Sequence, residues 1–156
     1  RFIGQTIIQY ASFFGMQIKV FSNDSKDLKT SISQKYGCSF IDLKDLLLNS
    51  DIVVLAVPLL DSTKNIISSR EIDLLKKNAI FVSISRNECF DLNYLLSKCS
   101  QNKSLKVGLD CDISNFTSDW SGLDNVIITP HIAGGTVESR QRMFVEVVKN
   151  FIQNPY

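Results

Sequence analysis

The chain has one histidine in 156 residues, His131. It contains no apolar run near the roughly 20 residues that a membrane-spanning helix needs. Neither sign of charge is in excess: seventeen Lys and Arg face sixteen Asp and Glu, and the lysines are scattered. A nucleic-acid or membrane-surface partner is therefore not expected. The four cysteines, Cys38, Cys89, Cys99 and Cys111, have irregular spacing and no C-x-x-C pair. That argues against a metal or redox motif and for free thiols in a reducing cytoplasm. A Met start and a signal peptide are also missing, and "RFIGQ" runs straight into a helical pattern, so an upstream segment is expected. With 44% hydrophobic and 21% charged residues, one globular domain with a packed core is expected.

What is present is an alternation of two periodicities. Ile7, Ile8, Ala11 and Phe14 recur at helical spacing and predict a helix over about 4–14, ended by Gly15. Gln17 to Phe21 reads as a strand, Lys26 to Tyr36 as a helix closed by Gly37, Ser39 to Ile41 as a short strand and Leu43 to Asn49 as a helix. Asp51 to Val57, "DIVVLAV", is continuously apolar and β-branched, as suits a parallel strand covered on both faces, and Pro58 ends it. Helices over Glu71–Lys77 and Asp91–Gln101 alternate with strands over Ala79–Ile84 and Lys106–Asp110. Val126 to Thr129 is the last strand and Val137 to Ile152 the last helix. Strands alternating with helices imply an α/β fold with a doubly wound parallel sheet. The polar stretch Ser114 to Gly122 reads as a loop.

The histidine lies in "VIITPHIAGGTVES". Pro130 stops strand pairing, and Gly134-Gly135 is expected to turn the chain into the last helix. His131 is thereby set just beyond the carboxyl end of a strand. Ligands bind at that edge in open α/β sheets, and histidine exchanges protons near neutral pH.

The segments "GQTIIQYASFFGM", "SDIVVLAVPL", "AIFVSISR", "VGLD" and "TPHIAGGTVESRQRM" occur in an order that resembles the nucleotide-binding domain of the D-isomer-specific 2-hydroxyacid dehydrogenases. The resemblance implies a Rossmann-type domain over residues 1–156 whose first strand and first glycines would precede residue 1. It also implies that the last helix leads back to a substrate domain. Gly4 matches the last glycine of the turn that holds the cofactor pyrophosphate at a helix N-terminus. Ser22 and Asn23 stand where the family presents an Asp to the adenosine ribose. NAD is therefore the implied cofactor, with weakened discrimination against NADP. Val57 and Pro58 match the segment lining the adenosine side, Asp110 the aspartate near the nicotinamide carboxamide, and Gly134 joins the cofactor-binding set.

Arg86 matches the arginine that holds the substrate carboxylate, for which a planar guanidinium fork is suited. The family has Gly after it, and this chain has Asn87 and Glu88. His131 matches the proton donor. Counting from Asp110 puts the family's His-pairing Glu on Asn115, with Asp112 or Asp119 as alternative partners. Without a carboxylate charge beside the imidazolium, keto-acid reduction is expected to fall at lower pH than in relatives carrying Glu.

The implied function is an NAD(P)-dependent oxidoreductase acting on a small 2-hydroxy or 2-keto acid, cytoplasmic, with no metal. Homodimers are expected, with Trp120, Phe116 and the last helix offering apolar surface. A formate-dehydrogenase-like hydride abstraction, suggested by Asn115, a non-catalytic NAD-sensing protein and a pseudoenzyme are the alternatives.

Overall fold

The computed structural model describes residues 2–112 and 120–153. Asn115, Phe116 and Asp119 lie outside the described residues. The order is α1 (Phe2–Phe13), β1 (Lys19–Val20), α2 (Lys26–Tyr36), β2 (Ser39–Phe40), α3 (Leu43–Asn49), β3 (Ile52–Leu55), α4 (Ser69–Asp73), β4 (Ile80–Ser83), a 3-10 turn (Asn87–Cys89), α5 (Leu92–Gln101), β5 (Lys106–Asp110), β6 (Val126–Thr129) and α6 (Val137–Gln153).

Local chemistry accounts for several boundaries. Ser25, Asp42 and Asp91 cap α2, α3 and α5 by accepting bonds from orphan backbone N–H groups. Ser68 and Glu71 form a reciprocal capping box at α4. Gly37, at φ 67°, takes the left-handed position that closes α2, its N–H bonding the Ser33 carbonyl. The expected helix over Glu71–Lys77 is shorter and earlier, because the capping box starts it at Ser69 and Leu74 ends it.

All strand pairs are parallel. β3, β4, β5 and β6 form one sheet in chain order, with Val53 opposite Phe81, Phe81 opposite Val107, and Asp110 opposite Thr129. β1 and β2 form a separate two-stranded sheet. The parallel α/β architecture is as expected, but it divides into two sheets between β1 and β3, where the resemblance puts its first strand.

One sheet face is packed. Leu47, Ile72, Ala79, Phe81, Leu95, Val107 and three buried thiols, Cys89, Cys99 and Cys111, form the main core. All four cysteines are free. Burial pushes the Cys99 and Cys111 thiols up to about 11, so both are protonated near neutral pH.

The expectation that "DIVVLAV" is covered on both faces is not met. Val53 and Leu55 are buried, whereas Ile52 and Val54 are 45% and 38% exposed. The reason lies in the helices: α1 packs beside α2, and α6 buries none of its side chains. Strand ordering also stops at Leu55 rather than Val57.

Candidate functional site

The carboxyl ends of β3, β4, β5 and β6 bring the expected residues to one edge. β4 ends at Ser83, and Arg86 stands three residues on, immediately before the 3-10 turn. β6 ends at Thr129, and Pro130 leads to His131. The Arg86 Nη1 lies 3.1 Å from the His131 Nε2, and both side chains are exposed. Guanidinium can only donate, so in this contact Nε2 is the acceptor.

His131 itself carries the turn. Its φ is +55°, in the left-handed region, and its N–H bonds the Thr129 carbonyl at 2.9 Å across Pro130. Gly134 and Gly135 have no positive φ, but the Gly135 N–H bonds the Ile132 carbonyl at 2.9 Å, so the pair makes a second turn, toward α6, as expected. A non-glycine residue in this region costs roughly 1–3 kcal/mol and persists where its surroundings over-determine it.

Asp110 supplies that determination. Its Oδ1 accepts from the Thr129 hydroxyl at 2.6 Å and the Ile132 N–H at 2.9 Å, and its Oδ2 from the Ala133 N–H at 3.0 Å. Burial acts to raise the Asp110 carboxyl, but the bonds from Thr129, Ala133 and Ile132 and the nearby His131 outweigh it and hold it below the usual 3.8. Asp110, expected to face a nicotinamide, also fixes the histidine loop. Sequence reasoning missed Thr129 in this role, although a hydroxyl directly across a parallel ladder from a carboxylate was a usable signal.

A second unforeseen residue joins the segment after β3 to the segment after β4. The Ser85 hydroxyl accepts from the Val57 N–H at 2.9 Å and reaches the Val57 and Leu55 carbonyls at 2.9 and 3.2 Å. It continues the pairing of β3 and β4 past their last ladder residues, so Val57-Pro58 and Arg86 leave the sheet in a fixed relation.

At the end of β1, Ser22 is half-buried and Asn23 exposed. The Ser22 hydroxyl donates to Asp24 Oδ2 at 2.7 Å and accepts from the Asp24 N–H at 2.9 Å. The negative charge expected to be lacking here is therefore present, two residues later and held through Ser22. Gly4 lies inside α1, which starts at Phe2, and nothing stands within 4 Å of where a Cβ would project. It thus leaves open space beside the first helical turn. Trp120 is half-buried against the main core, so it is not the free apolar surface expected of it.

A family model described as D-isomer specific 2-hydroxyacid dehydrogenase, NAD binding domain, matches residues 2–133. The chain is 35% identical over 152 residues to a glyoxylate reductase of Pyrococcus horikoshii, covering 96% of this chain and 45% of that protein. To a hydroxypyruvate reductase of Thermotoga maritima it is 31% identical over 156 residues, covering 97% and 49% respectively. A solved D-lactate dehydrogenase of Aquifex aeolicus, complexed with NAD and lactic acid, superposes with a TM-score of 0.78 at 29% identity, covering 97% of this chain and 50% of that one. The chain spans about half the length of the curated relatives it matches.

Proposed function

We infer, because this chain belongs to the D-isomer specific 2-hydroxyacid dehydrogenase family, that the protein reduces a small 2-keto acid to its D-2-hydroxy acid, and runs the reverse reaction, with NAD(P). The observation that carries this is the contact between Arg86, beyond the carboxyl end of β4, and His131, beyond that of β6, on a loop held by Asp110. An arginine alone would be a surface charge. Beside a proton-exchanging imidazole it makes a place for an acid bearing an adjacent carbonyl.

The residues present suit the cofactor. The Ser22–Asp24 pair offers acceptors for ribose hydroxyls, the open side of Gly4 allows close backbone approach, and Asp110 Oδ2 has capacity for a carboxamide N–H beyond its bond to Ala133. Val57 and Pro58 would line the adenosine side, and Asn23 and Gly134, exposed at the same edge, complete the set. Bound NAD(P)H supplies the hydride that the carbonyl carbon accepts.

The chain does the rest. At rest the Arg86 guanidinium donates to His131 Nε2. A substrate carboxylate, being the stronger acceptor, draws the guanidinium into a charge-assisted pair and frees Nε2. Exposed to water, His131 then takes up a proton there and passes it to the carbonyl oxygen as negative charge develops. The carbonyl π bond becomes an O–H bond, and His131 is left neutral. In oxidation Nε2 receives the hydroxyl proton. Asp110 keeps the imidazole at the required place throughout.

The reading extends to a soluble cytoplasmic homodimer. Support for the dimer comes from Met143, Phe144, Val147 and Phe151 of α6, all more than 60% exposed, and a concentration-independent monomer in sedimentation would reject it. Among the described residues no helix is long and apolar enough to cross a membrane.

The function is tested by incubating the intact protein with NADH or NADPH and glyoxylate, hydroxypyruvate or pyruvate. Consumption of reduced cofactor with formation of the hydroxy acid is expected. Cofactor binding without turnover on any 2-keto acid would favour a nucleotide-sensing role instead.

A further inference from the structure

The turn that follows Arg86 is tied down on two sides. From one side, the Asn65 N–H donates to the Glu88 carbonyl at 2.7 Å and the Ile67 N–H to the Cys89 carbonyl at 3.2 Å. From the other, the Asn87 Nδ2 donates to the Asp112 carbonyl at 2.8 Å. The ladder between β4 and β5 ends with Ser83 opposite Leu109. The Asn87 bond therefore continues that pairing four residues past its end, by a side chain instead of a backbone group.

Its position matters for the site. Arg86 precedes Asn87 directly, and Asp112 lies two residues beyond Asp110, whose carboxylate holds the His131 loop. Asn87 thus connects the segment that aims the guanidinium to the segment that aims the imidazole. Among the described residues, the buried Asn87 Oδ1 has no hydrogen-bond partner. An unsatisfied buried acceptor is unfavourable by roughly 1–3 kcal/mol, so the carboxamide is not there for general packing comfort. A glycine here would carry neither the tie nor the penalty.

We propose that Asn87 is a positioning residue, whose side-chain bond to the Asp112 carbonyl sets Arg86 against His131 so that a substrate carboxylate is received in one orientation. This rests on the keto-acid reading above for its kinetic consequence but not for its geometric one. The tie does not reach the Ser22–Asp24 pair or Val57, which other hydrogen bonds hold.

The test compares Asn87→Gly and Asn87→Asp with a Glu88→Gln control in the intact protein. Glycine removes the donor. Aspartate keeps the shape but turns an acceptor against the Asp112 carbonyl, so it should be the worse of the two. His131 is the only histidine of this sequence, and its ring nitrogen resonances, selectively labelled, report the Arg86 contact without any turnover. Both Asn87 variants are expected to shift those resonances, and the control is not. In kinetics, Asn87→Gly should raise KM for the keto acid about tenfold, the equivalent of one hydrogen bond, while NADH affinity stays within about twofold.

Unmoved His131 resonances in both variants would overturn the proposal. So would a rise in keto-acid KM matched by an equal loss of NADH affinity and a lower Tm, the signature of general loosening. If the unsubstituted protein turns over no keto acid, the proposed function fails, and the resonance comparison still decides the positioning role.

Discussion

Asp110 shows how one carboxylate at a strand end can fix the loop beyond the next strand. It compensates a left-handed histidine by accepting three hydrogen bonds from the strand and loop around it. Because its folded carboxyl titrates below the usual 3.8, the stabilisation is fully present above that value and is lost as pH falls through the folded value. Urea midpoints followed from pH 6 downward should fall more steeply below pH 3.8 in the unsubstituted protein than in Asp110→Asn. Parallel curves would show that other carboxylates dominate the acid limb. At the other end of the proposed site, Asp24 would set its charge against a 2′-phosphate if the cofactor ribose sits at the end of β1. We expect Asp24→Asn to improve NADP binding by about tenfold relative to NAD, from the removal of one close like-charge contact. Equal change for both cofactors in titration would place Asp24 away from the ribose.

At the scale of elements, strand and helix order was legible because each segment has a single dominant period. α2, α3, β5 and β6 occur over the residues that capping and apolar spacing predict. The strand ends were less legible: Val57 and Ile84 are apolar like their neighbours, and only hydrogen bonding distinguishes ladder from exit. The strand-end positions of Arg86 and His131 could be read from their motifs, whereas Asn87, Ser85 and Thr129 make cross-strand bonds that no local pattern encodes. Asn125 is a further case. Its Nδ2 reaches the Cys99, Asn102 and Leu105 carbonyls at 3.1, 3.2 and 2.7 Å, joining the end of α5 to the start of β6. Asn125→Ala should destabilise by about 2 kcal/mol, since it leaves carbonyls near the core without a donor. Denaturant titration giving a change below about 0.5 kcal/mol would mean that water replaces the amide.

For the whole molecule, the two sheets and the exposed apolar side chains of α1, β3 and α6 set the frame in which the site works. Phe2, Phe13 and Phe14 are 86%, 84% and 70% exposed, and Ile127 on β6 is 71% exposed. The packed half of the chain, from α3 to β6, is the half that holds Arg86, Asp110 and His131, and its core is continuous beneath them. The edge bearing Arg86, Asp110 and His131 is therefore carried by the better-packed part, and its geometry depends on cross-strand ties rather than on the exposed helices. The most direct test of the central claim is His131→Ala in the intact protein, with keto-acid reduction and NADH binding measured on the same sample. Turnover should fall by at least about 100-fold, as expected for loss of a positioned proton donor, while NADH affinity is unchanged. Full turnover in His131→Ala would contradict the account.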